Sequence, residues 1–95
     1  MIIAQLSIAP LGKGTSVSNY VKIAIETLKK EQVKFQTNAM ATVIEIQDLS
    51  TLFDVVQKVH LAVAAAGAKR IITELKIDDR KDKEATMNLK VNALK

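Results

Sequence analysis

Ninety-five residues, 48% of them hydrophobic and 25% charged, make one small domain with enough apolar surface to offset the entropy of ordering. Fourteen Lys and Arg against ten Asp and Glu leave a net charge of +4, which favours solubility without marking a nucleic-acid binder. The absence of cysteine removes a disulfide framework, a thiolate zinc site and a cysteine nucleophile.

A domain of this size buries only about 60 to 65% of its unfolded surface, so association with copies of itself is an expected source of further burial. The opening Met1 to Ala9 has no basic region ahead of its apolar residues, and Gln5 and Ser7 interrupt it before signal-peptide length. No other apolar run approaches the about 20 residues of a bilayer span. The expectation is a protein of the reducing cytoplasm, away from the membrane.

In chain order, Ile2, Ala4, Leu6 and Ile8 alternate with Ile3, Gln5, Ser7 and Ala9 at the strand period of two. Pro10, Gly12 and Gly14 break that pattern in a loop ending at Thr15 and Ser16, whose hydroxyls suit the start of a helix. Val17, Val21, Ala24, Ile25 and Leu28 then recur at spacings of three and four, with Lys22, Glu26, Lys29 and Lys30 off the stripe.

Val33, Phe35 and Thr37 alternate with polar neighbours, and after Ala39, Met40 and Ala41 the alternation resumes with Thr42, Ile44 and Ile46. We read a hairpin; because the turn lacks Asn-Gly or Asp-Gly, one strand from Phe35 to Ile46 is the alternative. Asp48 to Thr51 supplies capping side chains for a second helix, striped by Leu52, Val55, Val56, Val59, Val63 and Ala66 and ended by Gly67. Ile71, Thr73, Leu75 and Ile77 make a fourth strand. The charged stretch Asp78 to Glu84 then leads to Met87, Val91 and Leu94, spaced as a short amphipathic helix.

Strand, helix, strand, strand, helix, strand is the ferredoxin-like order, an α+β fold with both helices on one face of an antiparallel sheet and a short C-terminal helix added. The covered face would carry Ile2, Leu6, Ile8, Phe35, Ile44, Ile46, Ile71, Leu75 and Ile77. The open face would carry Gln5, Ser7, Gln36, Asn38, Glu45, Glu74 and Lys76. Solvation alone accounts for such polar residues, but Ile3, Val43 and Ile72 lie among them, and a mixed face suits a subunit interface that also lines a ligand pocket. With strands one and three as neighbours, Ser7 and Glu45 are expected to approach each other, a hydroxyl beside a carboxylate that suits ring nitrogens and amino donors.

Other chemistry finds little support. Gly12 to Ser16 matches neither the P-loop nor the dinucleotide fingerprint, so a capped loop outweighs an anion site there. His60 is the single histidine and reads as a packed or interface residue on helix two, without a metal or triad partner. Asp78 and Asp79 read as caps for the last helix or as surface ion pairs. A nucleic-acid-binding sheet needs exposed aromatics, and the two Phe and one Tyr fall on helices or the covered face.

Specific residues carry a resemblance. Ser7, Pro10, Leu11 and Gly12, then Thr15 to Ser18 with Tyr20 and Val21, Met40-Ala41-Thr42 with Ile44-Glu45, His60, Gly67, Arg70, and Ile77 to Lys83 with Lys90 and Val91 together resemble the small thiamine-binding protein family across the chain. The resemblance implies a ferredoxin-like subunit that assembles into dimers or tetramers. It also implies binding of thiamine or its hydroxymethylpyrimidine portion, without catalysis and without a cofactor or metal. Mapped onto this sequence, it gives Ser7, Thr42 and Glu45 to the ligand, with Asn38 a neighbour. Ala41, Ile46 and Gln32 stand where the family usually has glycine. Glu45 would accept from or share a proton with the pyrimidine, and Glu45 and Glu74 would make the local potential suit a thiazolium cation. The alternatives are a structural or regulatory assembly module without a small-molecule ligand, and an enzyme acting on a phosphorylated metabolite through the Gly12 to Ser16 loop.

Overall fold

Period-two and period-3.6 patterns become four strands and three helices in the order β1 (Ile2–Pro10), α1 (Ser18–Lys30), β2 (Lys34–Thr37), β3 (Thr42–Ile46), α2 (Leu49–Ala65), β4 (Ile71–Asp79) and α3 (Met87–Asn92). The computed structural model describes residues 1–12 and 18–95. The expected cap at Thr15 and Ser16, Val17 of the first helical stripe, and the loop from Lys13 onward lie outside the described residues. The strands form one antiparallel sheet in the order β2-β3-β1-β4, as the ferredoxin-like reading requires.

Register sorts the faces as alternation demands. Ile2 opposes Ile46, Ala4 opposes Ile44 and Ile77, and Leu6 opposes Leu75, which gathers the apolar side chains under α1 and α2. Ile44 at the centre is 0% exposed, and it packs with Leu28 of α1 and Leu52, Val55 and Val59 of α2. Two left-handed residues punctuate the helices. Gln32 has φ 58 and closes α1, its amide donating to Lys29 O at 3.1 Å while the Val33 amide donates to Leu28 O at 3.3 Å. Val33 and Leu28 then meet in the core, as this kind of C-cap favours. Gly67, at φ 108, follows α2 as its sequence position suggests. At the other end of α2 the Asp48 carboxylate accepts from the Thr51 amide at 2.7 Å.

Two expectations need correction, and one open alternative is decided. The hairpin forms, with Asn38 in its turn rather than on the open face, because Asn38 sits beyond the last β2–β3 pair, Thr37 with Thr42. α3 is capped by Thr86, whose hydroxyl accepts from the Leu89 amide at 3.1 Å. Of the two readings of Asp78 and Asp79, the surface ion pairs hold, with Lys90 and Lys81, and the capping one does not. Half of the open face is also covered by the chain itself. Ile3 and Val43 pack beneath Ala85 and Met87, since two neighbouring apolar side chains gain more from the returning C-terminal segment than from water.

Candidate functional site

The β1–β3 ladder ends where Leu6 opposes Thr42, yet β1 continues beside β4 as far as Pro10 opposite Ile71. Among the described residues Ser7 to Pro10 therefore have no strand on their β3 side, and the main chain there faces a gap instead of a ladder. The hairpin turn bounds that gap. Asn38 builds the turn twice over, its amide donating to Ala41 O at 2.9 Å and its Oδ1 accepting from the Met40 and Ala41 amides at 2.8 and 2.9 Å.

Between turn, strand and α1 lies a cavity of about 190 Å³. Leu6 and Ile8 of β1 and Val21, Ala24 and Leu28 of α1 give it an apolar wall, and Met40, 86% exposed, stands at its rim. Its polar side comes from Ser7, Thr37, Asn38 and Thr42. The Thr37 and Thr42 hydroxyls lie 3.3 Å apart and share one hydrogen bond, which leaves further donor and acceptor capacity on the pair. With the Asn38 oxygen committed to the turn, its amide nitrogen remains as a donor. The arrangement suits a small flat ring that both donates and accepts; at this volume the cavity is below the about 300 Å³ at which pockets take drug-sized molecules.

Three of the four residues expected to form the site, Ser7, Asn38 and Thr42, are thus brought to one cavity, and the fourth is not. Glu45 opposes Ile3, four residues before Ser7 on β1, so the two are separated by about 13 Å along the strand. The expected approach of Ser7 and Glu45 fails on register: neighbouring strands bring together only residues on the same rung. Glu45 does project to the open face, but α3 covers it, and it is 7% exposed. Its Oε1 accepts from the Met87 amide at 2.7 Å, and its Oε2 lies 3.5 Å from Lys34 Nζ on β2. The residue opposite Ser7 is Glu74, across the β1–β4 ladder.

Thr37 escaped the sequence reading as a site residue although a signal existed, since a four-residue turn between Thr37 and Thr42 makes the two threonines directly opposed. The unpaired run of β1 had no signal, because it follows from β3 being shorter than its neighbour. His60 is packed as expected, its Nδ1 2.7 Å from Thr73 Oγ1 and between α2 and β4. No group of three or more His, Cys, Asp or Glu among the described residues is arranged to hold a metal ion. Charge perturbations lie away from the cavity: the Thr51 amide, and then its hydroxyl, hold the Asp48 carboxyl below the usual carboxylate range. The Arg80 guanidinium does the same to Asp82 through their hydrogen bonds. No helix among the described residues is long and apolar enough to cross a membrane.

Comparison with known proteins adds to this geometry. A family model described as thiamine-binding protein matches residues 4–95. The chain is 44% identical over 96 aligned residues to a UPF0045 protein of Methanothermobacter thermautotrophicus, covering 100% of this chain and 97% of that one. The crystal structure of the hypothetical protein MJ1052 from Methanocaldococcus jannaschii superposes with a TM-score of 0.89 at 47% identity, covering 98% of this chain and 94% of that one. A Thermotoga maritima protein, provisionally assigned to thiamine biosynthesis or salvage, shares the fold with a TM-score of 0.85 at 19% identity, over 99% of this chain and 98% of that one.

Proposed function

This chain belongs to the thiamine-binding protein family, and on that premise we propose that it binds thiamine, or its hydroxymethylpyrimidine portion, reversibly and without catalysis, in the cytoplasm. The observation that carries the reading is the cavity between the hairpin turn and the unpaired run of β1, which brings Ser7, Asn38 and Thr42 together. An aminopyrimidine presents ring nitrogens that accept and an amino group that donates. The Asn38 amide nitrogen serves the first, and the Thr37 and Thr42 hydroxyls serve the second. Leu6, Ile8 and Val21 pack against the ring and its methyl group, and Met40 closes over the exposed side with a thioether that adapts to flat partners. Glu45 is given the task of holding α3, so its part in recognition is indirect.

Calorimetric titration with thiamine and with the free pyrimidine tests this, and no saturable heat up to millimolar ligand overturns it. The Asn38→Asp variant sharpens the test, because its carboxylate keeps the acceptor that builds the turn and loses the donor to the ring. With the free pyrimidine as probe, affinity should fall about fivefold, the equivalent of about 1 kcal/mol for one hydrogen bond, while the melting temperature holds.

A second reading, assembly into dimers or tetramers, is favoured by one observation and is compatible with the first. On α3, Leu89 and Val91 are half-exposed, and Leu94 just beyond it is 87% exposed, a run of apolar side chains that a second copy would cover. Light scattering of the purified chain, beside a variant with Leu89 and Leu94 replaced by Ser, measures it: the replacement should shift the population toward monomer.

A further inference from the structure

The open face divides at the edge of α3. Beneath α3 lie Ile3, Val43 and Glu45, and beyond it a separate hollow of about 160 Å³ is lined by Gln5, Ser7, Glu74, Leu75 and Lys76. Ser7 belongs to this hollow and also to the helix-side cavity, so over this stretch the β1 main chain is the wall between them. Past Leu6 this wall continues beside β4 alone, and among the described residues no strand lines its β3 side.

Glu74 stands directly opposite Ser7, at the separation of about 5 Å between Cβ atoms that facing residues of an antiparallel pair adopt. Unlike Glu45, it makes no ion pair or hydrogen bond through its side chain among the described residues. Lys76, on the same face two residues on, is the one cation lining the hollow among the described residues, and its side chain is likewise without an ion pair there. An exposed carboxylate beside a hydroxyl, next to a cavity sized for one ring, is therefore ready to meet whatever projects from that ring.

We propose that Glu74, not Glu45, is the carboxylate that selects the cationic part of the ligand: with the pyrimidine ring in the helix-side cavity, a positively charged second ring lies over Ser7 against Glu74. The inference rests on the pyrimidine-binding reading above and extends it to what distinguishes a charged ligand from a neutral one. A quaternary ring nitrogen has no proton to donate, so its recognition is by charge, and charge at an exposed site is screened by salt.

The test compares thiamine with neutral hydroxymethylpyrimidine by calorimetry on the full chain at low salt. Glu74→Gln should lower thiamine affinity about three- to fivefold, the size of one solvent-exposed charge pair, and leave the pyrimidine affinity unchanged. Glu74→Lys should widen the loss for thiamine alone, and at about 0.5 M salt, where the Debye length is only a few ångströms, the differences should shrink toward zero. Glu45→Gln should leave the ratio of the two affinities as it is. The inference is overturned if both ligands weaken equally in Glu74→Gln, if neither changes, or if the ratio moves with Glu45→Gln instead. Failure of the unsubstituted protein to bind either ligand removes the pyrimidine reading and this one with it. Pyrimidine binding that persists with an unchanged ratio in every variant removes this one only.

Discussion

Two carboxylates on the same face of one sheet have come to different ends. Glu45, on β3, is roofed by Ala85 and Met87, ties down an α3 amide and lies beside Lys34. Glu74, on β4, faces Ser7 across the ladder and lies open to solvent. The residue type and the face are the same; what differs is the neighbour on the same rung of β1. Glu45 sits opposite Ile3, an apolar residue that draws the C-terminal segment down, and once that segment has arrived the carboxylate must satisfy its end or stand buried without a partner. Glu74 has a hydroxyl opposite, and its same-face neighbour Ile72 stays 43% exposed, without the joint packing that Val43 and Ile3 give the C-terminal segment. An acidic residue on an open sheet face is thus made structural or left available by the apolar content of its surroundings.

The contrast can be pressed hardest by unroofing the covered half. Met87→Ala should cost about 2 kcal/mol, the lower end for emptying a buried methionine site, and should release α3, seen as faster hydrogen exchange at Met87 and Val91 and a lower urea midpoint. Exposure of Glu45 in that variant would make the two halves alike. A smaller and more direct comparison sets Glu45→Ala against Glu74→Ala. The first strands a buried amide at Met87 and should destabilise the fold by about 1 to 3 kcal/mol, whereas the second should stay within about 0.5 kcal/mol in chemical denaturation. Equal losses would show that the roof does not depend on Glu45.

The smallest effect is a control on the helical side. The Asp48 carboxyl is held below its unfolded value by Thr51, so its capping contribution is complete above that unfolded value and disappears as pH falls through the lower folded one, below about pH 4. Amide exchange in the first turn of α2 should quicken in that window while the cavity and both halves of the open face keep their protection. Asp48→Asn should remove this pH dependence.

Much of this was legible from residue order. Alternation in Ile2 to Ile8 and Ile71 to Ile77 and the stripes through Leu28 and Val59 are local patterns, so the elements and the side of the sheet that each residue takes could be read directly. Gln32 was legible in another way: a position where glycine is usual proved to be left-handed at φ 58, because the chain must reverse there to bring Val33 back onto Leu28. The cavity was half legible. Ser7, Asn38 and Thr42 were named, but their grouping with Glu45 assumed that central strands juxtapose whatever they carry. Pairing is rung by rung, and a displacement of four residues is enough to part a hydroxyl from a carboxylate.

The sequence by itself determined the order of elements, the inner and outer side of every strand, the ends of α2, and the family, since each rests on spacing and residue type over a few turns or rungs. Tertiary structure decided three things that span the chain: where β3 stops along β1, which opens the cavity; where the C-terminal segment settles, which takes Glu45 out of solvent; and which acidic residue faces Ser7. Each depends on register or docking between segments distant in sequence, and the free energy that sets them belongs to the packed pair and to neither segment alone.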